Sequence, residues 1–159
     1  MAFATTDLCD QFGDELRVAA PIFRDWGGAA WFSGPIETLR IYEDNALVRS
    51  TLETPGNRRV LVVDGGASLR TALLGGNLAA LAHRNGWSGL VINGCVRDAA
   101  ELAAVPIGIK ALCTIPRRSA RTGAGERGIP VTFAGVTFTP GSFLYADVDG
   151  IVVAERDLL

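Results

Sequence analysis

The sequence predicts an α/β fold with a mixed sheet and a substantial antiparallel part, built as one domain over residues 1–159. Three observations predict it. The stretch from Arg58 to Asp98 reads as strand, loop, helix and strand. Its apolar run Val60-Leu61-Val62-Val63 ends in Asp64-Gly65-Gly66, Gly75-Gly76 opens a helical segment, and Leu90-Val91-Ile92 runs on to Gly94-Cys95-Val96-Arg97-Asp98. The last third carries two hairpin signals, Ala134-Gly135 and Asp147-Val148-Asp149-Gly150, each between β-forming runs. Finally, a β-rich start, an αβ middle and a hairpin end depart from regular βαβα alternation.

Taken in order, Thr5-Thr6-Asp7 supplies capping residues for a short helix from Leu8 to Phe12, which Gly13 ends. Leu16 to Phe23 is extended, with an interruption at Pro21, and Gly27-Gly28 is a turn. Trp31-Phe32 and Ile36 to Ile41 read as strands on either side of a Gly34-Pro35 break. Asp44-Asn45 caps a helix from Ala46 to about Glu53, with Leu47, Val48 and Leu52 on one face, and Pro55-Gly56-Asn57 turns into the central unit. After Asp98, the spacing to Glu101 is that of a capping box. A strand then runs through Ile109, Ala111, Cys113 and Ile115, and Arg117 to Gly128 is a polar, basic loop.

Composition bounds the function. A length of 159 residues, 48% hydrophobic and 20% charged, is ordinary for a globular domain. A net charge of -2 and a pI near 5.4 give no basic field, so no direct nucleic-acid partner is expected. No apolar run approaches the ~20 residues of a membrane span, and the start lacks the basic-then-apolar pattern of a secretory signal. Three cysteines, Cys9, Cys95 and Cys113, without CxxC spacing, point to reduced thiols in a cytoplasmic protein. A single histidine, His83, lies inside a helix pattern, so a His-based metal site or triad has little to work with. Acid–base or metal chemistry must rest on carboxylates, arginines, backbone amides and water.

Several motifs have plain structural explanations. Gly123-Ala124-Gly125-Glu126-Arg127-Gly128 matches G-x-G-x-x-G, but a basic loop precedes it and Ile129-Pro130 follows, so it reads as a flexible loop. Arg117, Arg118, Arg121 and Arg127 form a basic cluster next to Lys110. A solvated loop explains it better than an anion site, since no aromatics interleave. Asp147 and Asp149 read as Asx turn residues ahead of Gly150 rather than metal ligands. Cys95 has no neighbouring general base.

Two features carry chemistry. Gly75-Gly76-Asn77-Leu78 either tolerates a turn, or presents free amides at a helix N-terminus to a carboxylate or phosphate. Arg97-Asp98 is either a surface pair with Asp98 as an N-cap, or a small site in which Arg97 forks onto a substrate carboxylate while Asp98 holds a divalent cation.

The segment VLVVDGGASLRTALLGGNLAALAHRNGWSGLVINGCVRDAAEL resembles the core of the RraA-like family. So do Phe23…Trp26-Gly27-Gly28, Glu43-Asp44-Asn45, Ile107-Gly108-Ile109-Lys110-Ala111, Gly135-Val136-Thr137-Phe138…Pro140-Gly141 and Tyr145-Ala146-Asp147…Asp149-Gly150-Ile151, so the likeness spans essentially the whole chain. The resemblance implies a swivelling β/β/α-type domain, assembled as a homotrimer with its sites at subunit interfaces. It implies one of two activities: metal-dependent aldol cleavage of 4-hydroxy-4-methyl-2-oxoglutarate with oxaloacetate decarboxylation beside it, or inhibition of an RNase E-type ribonuclease. An older reading of the family as demethylmenaquinone methyltransferases finds little support in these residues.

Carried over residue by residue, the resemblance makes Gly75, Gly76, Asn77, Leu78 and Arg97 the binding residues for a small 2-oxo acid, with Arg97 and Asp98 catalytic. Asp98 would hold Mg²⁺ or Mn²⁺. The intact Arg97-Asp98 pair favours the enzymatic branch. One departure stands out: the aldolase pattern usually has an acid where this chain has Gly76, leaving Asn77, a held water or a neighbouring subunit to compensate.

Overall fold

Val60, Leu61, Val62 and Val63 are all buried because their strand is covered on both faces. Alternation sends Leu61 and Val63 into one core with Leu39, Leu90, Ile92 and the helices, and Val60 and Val62 into a second with Phe32, Val91, Phe133 and Phe138. The computed structural model describes residues 3–159. In order, its elements are α1 (Thr5–Phe12), a 3-10 turn (Gly13–Glu15), β1 (Arg17–Val18), β2 (Arg24–Asp25), β3 (Phe32–Arg40), α2 (Ala46–Leu52), β4 (Val60–Asp64), β5 (Ala72–Leu74) and α3 (Gly76–Arg84). There follow β6 (Gly89–Val96), α4 (Ala99–Ala104), β7 (Gly108–Thr114), β8 (Glu126–Arg127), β9 (Val131–Phe133), β10 (Val136–Phe138), β11 (Phe143–Asp147) and β12 (Gly150–Ala154).

The large sheet runs β1-β12-β11-β3-β4-β6-β7-β2, with β5 added to β6 and β8 to β3. Its centre, β3-β4-β6-β7, is parallel, and its flanks are antiparallel. The mixed α/β fold with C-terminal antiparallel hairpins is therefore the one observed. Helices α2, α3 and α4 cover one face of the parallel part through Val48, Leu52, Leu78, Ala79, Ala82 and Leu102. The β9–β10 hairpin covers the other, its two-residue turn at Ala134 and Gly135 taking the paired positive φ angles, 51° and 74°, that match strand twist.

Three expectations need correction. Helix α1 begins at Thr5 itself, with no side-chain cap; Thr5 is buried and spends its hydroxyl on Asp147 Oδ1 at 2.6 Å. Gly34-Pro35 does not break the strand: β3 runs unbroken from Phe32 to Arg40, with Pro35 opposite Phe143. Glycine is needed at 34 because the Arg58 carbonyl presses on the place a Cβ would take, and the break signal was in fact a close backbone approach. Lys110, on β7, does not add its charge to the basic cluster it was read beside. It is buried, bonded to the Asp147 carbonyl and paired with Asp25 at 2.9 Å.

Candidate active site

Strands β5 and β6 end side by side, Leu74 opposite Val96, and the Arg97 amide donates to the Leu74 carbonyl at 2.9 Å. β5 was missed in the sequence because three residues between polar loops carry no period of their own. Its pairing brings the Gly75 turn against the Arg97-Asp98 step. Asp98 then takes a left-handed backbone, φ 62° and ψ 47°, uncommon for a residue with a Cβ and costing about 1 kcal/mol.

That backbone overturns the capping-box expectation. An N-cap side chain reaches its own helix from an extended backbone, and from the left-handed region Asp98 makes no such bond. Its Oδ2 crosses instead to α3 and accepts the Gly76 amide at 2.9 Å. Oδ1 has no partner among the described residues. Asp98 Oδ2 would stand 2.7 Å from a Cβ on Gly75, and the Arg97 side chain packs there too, so a side chain at 75 would push Asp98 from its present position. A Cβ on Gly76 would fall on the Glu101 side chain, so the Glu101 carboxylate occupies the space beside Gly76. Glu101 was read in the sequence only as half of a cap. Its position one helical turn after Asp98 was the signal that could have placed both carboxylates at this turn.

Gly75, Asn77, Leu78, Arg97 and Asp98 line one cavity of about 320 Å³. Gly76 lies beneath it, buried, its amide engaged by Asp98. Asn77 and Leu78 sit in the first turn of α3, where amides have no helix carbonyl to donate to and face an anion favourably. Among the described residues, Arg97 reaches only the Pro116 carbonyl, at 3.4 Å, and holds no carboxylate. The cavity adds Asn45, Arg49, Glu53 and Ala72, which sequence reasoning left out, and Arg118 and Arg121, which it read as a solvated loop in preference to an anion site.

The basic loop is fixed in place rather than free. Ala72 pairs with Arg118, its amide donating to the Arg117 carbonyl at 2.8 Å, and Ala120 bonds both Glu43 and Asn45 backbones at 2.9 and 3.0 Å. The buried Asp44 carboxylate accepts the Ala46, Thr122 and Gly123 amides at 3.1, 2.7 and 3.2 Å, plus the Thr122 hydroxyl. Burial pushes the Asp44 carboxyl up, but these bonds outweigh it and hold the group below the ordinary carboxylate range. Elsewhere the plain readings stand. Burial, then the neighbouring Cys113 thiol, pushes Cys95 up to about 12, which makes it a poor nucleophile. His83 is exposed on α3, and Asp147 accepts the Asp149 amide at 3.0 Å in an Asx turn.

The α/β domain carries a cavity lined by guanidinium groups, helix amides and a carboxylate with a spare oxygen, a lining whose chemistry suits a small organic anion. The chain belongs to the RraA-like family: residues 5–153 match the family model described as Aldolase/RraA. It is 58% identical over 159 residues, covering 100% of this chain and 99% of the relative, to a protein of Alkalilimnicola ehrlichii provisionally named 4-hydroxy-4-methyl-2-oxoglutarate aldolase. A Burkholderia multivorans protein with the same provisional name is 57% identical, at 99% of each chain. The structure described as the RNA-processing inhibitor RraA from Thermus thermophilis superposes with a TM-score of 0.96 at 49% identity, over 100% of this chain and 96% of that one. One described as an S-adenosylmethionine:2-dimethylmenaquinone methyltransferase from Geobacillus kaustophilus gives 0.96 at 51%, over 98% and 97%.

Proposed function

We propose that the protein is a divalent-metal-dependent carbon–carbon lyase that cleaves 4-hydroxy-4-methyl-2-oxoglutarate to pyruvate, with oxaloacetate decarboxylation as a side activity. One observation carries the reading: in one cavity, among the described residues, Asp98 presents a carboxylate oxygen with no partner beside an Arg97 guanidinium that holds no carboxylate. The names of relatives above 50% identity support it.

Asp98 suits Mg²⁺ or Mn²⁺. No group of three His, Cys, Asp or Glu among the described residues could cage an ion, which disfavours a structural zinc site. A single hard carboxylate oxygen facing water is what a largely hydrated Mg²⁺ accepts. When bound, such a cation supplies Lewis acidity to the keto and carboxylate oxygens of a 2-oxo acid. The chain does the rest. The Asn77 and Leu78 amides orient the substrate carboxylate, and Arg97 meets the negative charge that develops on the keto oxygen as the carbon–carbon bond breaks. The Gly76–Asp98 bond holds the carboxylate at a fixed angle. Glu101, seated where a side chain at 76 would lie, is our assignment for moving the proton. The test is pyruvate release from 4-hydroxy-4-methyl-2-oxoglutarate with Mg²⁺ or Mn²⁺ against a chelator control. Metal-dependent release supports the lyase, and its absence with both cations rejects it.

Similarity to an RNA-processing inhibitor favours a second reading, a binding protein that inhibits an RNase E-type ribonuclease. It predicts micromolar inhibition that survives Asp98→Ala, and no binding at that concentration rejects it. We also propose a homotrimer with the cavity at subunit interfaces. The exposed Tyr42, lying against Gly66, and Leu69 (59% and 56% exposed) offer apolar surface on one loop region, and a monomeric mass in light scattering would reject the assembly. Three free thiols support a cytoplasmic setting, and no helix of the described residues is long and apolar enough to cross a membrane.

A further inference from the structure

Cys95 and Cys113 face each other across β6 and β7, paired in the parallel ladder just past a shift in register, and their sulfurs lie 3.0 Å apart. Neither thiol lines the cavity or enters the chemistry assigned to it. Cys95 is wholly buried and Cys113 is partly exposed, whereas Cys9 lies elsewhere, on α1 against the Leu8 and Tyr145 cluster. Neighbouring strands are about 4.8 Å apart, inside the Cα separation of about 4.4–6.8 Å that a disulfide spans. Bonded sulfurs are about 2.05 Å apart, so these two need to close by only about 1 Å.

The strand ends beyond this pair carry the site. Arg97-Asp98 comes just after Cys95, and Ala72, which lines the cavity, pairs with Cys95 from the other side. The Val96 carbonyl accepts the Ile115 amide at 3.0 Å. Past Ile115, the Pro116 carbonyl accepts the Arg97 guanidinium at 3.4 Å, and Arg118 lines the cavity. A covalent tie between 95 and 113 therefore pulls on two parts of the cavity wall at once. Catalytic groups must be held within about 0.5 Å of their productive geometry, so a closure of about 1 Å at the sulfurs disturbs them even when only half of it is transmitted.

We propose that Cys95 and Cys113 are a redox-modification site: a hydroperoxide joins them in an intrachain disulfide, which displaces Arg97 and Asp98 and lowers the activity of the cavity. Cys113, the exposed partner, meets the oxidant. Its thiolate attacks one peroxide oxygen, the O–O bond breaks, and Cys113 becomes a sulfenic acid as hydroxide leaves. The Cys95 sulfur then attacks the Cys113 sulfur. The S–S bond forms, the S–O bond breaks, and the Cys95 proton leaves with the hydroxyl as water. The two thiols together give two electrons to the peroxide, and hydrogen peroxide ends as two waters. Burial, then the neighbouring Cys113, pushes the Cys95 thiol up to about 12, so Cys95 does not meet peroxide as a thiolate. Its place beside Cys113 makes the second step intramolecular, where proximity replaces thiolate character. A thiol reductant attacking the exposed Cys113 sulfur restores the pair. The loss of activity rests on the lyase reading; the disulfide and the displacement do not.

The experiment uses a Cys9→Ser background, hydrogen peroxide as oxidant and dithiothreitol as reductant, and it has two arms. In the first, thiol titration and peptide mass mapping follow the sulfurs. The expected result is one intrachain disulfide joining the Cys95 and Cys113 peptides, absent in Cys113→Ser and removed by dithiothreitol. Thiols that persist, or a Cys113 that stops at sulfinic acid with Cys95 still free, overturn the proposal. In the second arm, amide resonances are compared between reduced and oxidised protein. Those of Arg97, Asp98 and Ile115 should shift on oxidation and return on reduction, and should hold still in Cys113→Ser. Pyruvate release should fall about tenfold to a hundredfold with the disulfide and recover with dithiothreitol. Unmoved Arg97 and Asp98 resonances overturn the proposal even if no lyase activity is found. So does an equal loss of turnover in peroxide-treated Cys113→Ser, or unchanged turnover in the oxidised protein. Reversible shifts in a protein without turnover would reject the lyase reading alone.

Discussion

Asp147 and Asp98 both stand at or just past the end of a strand, and they are opposites. Asp147, at the end of β11, is buried and its acceptor positions are filled by the chain. Oδ2 takes the Thr5 amide at 2.7 Å, and Oδ1 takes the Thr5 hydroxyl at 2.6 Å and the Asp149 amide at 3.0 Å. Asp98, just past β6, is exposed, sits on a left-handed backbone, and accepts one amide. Asp147 fastens the N-terminal helix to the sheet. Asp98 spends backbone energy and keeps an oxygen spare, and the Arg97 guanidinium beside it is likewise unspent. The difference teaches that unfilled hydrogen-bonding capacity, rather than place at a strand end, marks the residue available for chemistry.

Substitutions should split the two along that line. The largest effect is expected from Asp98→Ala, with pyruvate formation falling about 10²–10³-fold, the scale of losing one placed electrostatic group. Its unfolding free energy should fall by no more than about 1 kcal/mol in urea titration, the loss of the one Gly76 amide bond. Asp147→Ala should do the reverse. It strands the Thr5 amide and hydroxyl, costs about 1–3 kcal/mol and lowers the melting temperature by several degrees, while KM for 4-hydroxy-4-methyl-2-oxoglutarate is unchanged. A variant pair losing stability and activity together would erase the contrast.

Acid should draw the same line more gently. Burial pushes the Asp147 carboxyl up, but the Thr5, Asp149 and Gly150 bonds outweigh it and hold it below its ordinary value, as happens at Asp44. A depressed folded pKa contributes stability that is fully present above the unfolded pKa, near 3.9, and is lost as pH falls through the folded one. Stability from these groups should therefore be level above about pH 5 and drain below about pH 4, with a shallower fall in Asp147→Asn by denaturant titration.

The smallest effect concerns Gly76. Because a Cβ at 76 would fall on the Glu101 side chain, Gly76→Asp alone should displace Glu101 and lower the lyase rate by about threefold, whereas Glu101→Ala should lower it about tenfold, within the range of a positioned acid–base group. Gly76→Asp in the Glu101→Ala background should recover part of the loss. A large gain from Gly76→Asp alone would show that Glu101 does not stand in for the acid.

Much of this was legible in the residues. The apolar run of β4 and the Ala134-Gly135 and Asp147–Gly150 turns have short-range causes, and each forms where its residues predict. The Gly75 turn and Arg97-Asp98 were legible as a pair of candidates, though not as neighbours, because β5 joins them only by pairing with β6. What was hidden depends on long-range contact. Gly34 looks like a break until Arg58 is seen against it, and Asp98 looks like a cap until its backbone turns left-handed. Arg118 and Arg121 look like a solvated loop until Asp44, more than seventy residues earlier, ties that loop to the cavity.

The central claim is that Asp98, and not its satisfied counterpart, holds the catalytic cation. Mn²⁺ binding to wild type, Asp98→Asn and Asp147→Asn, followed by electron paramagnetic resonance of free Mn²⁺, tests it most directly. The expected result is one site per chain in wild type and Asp147→Asn, and affinity at least about tenfold weaker in Asp98→Asn. Equal Mn²⁺ affinity in wild type and Asp98→Asn would contradict the account.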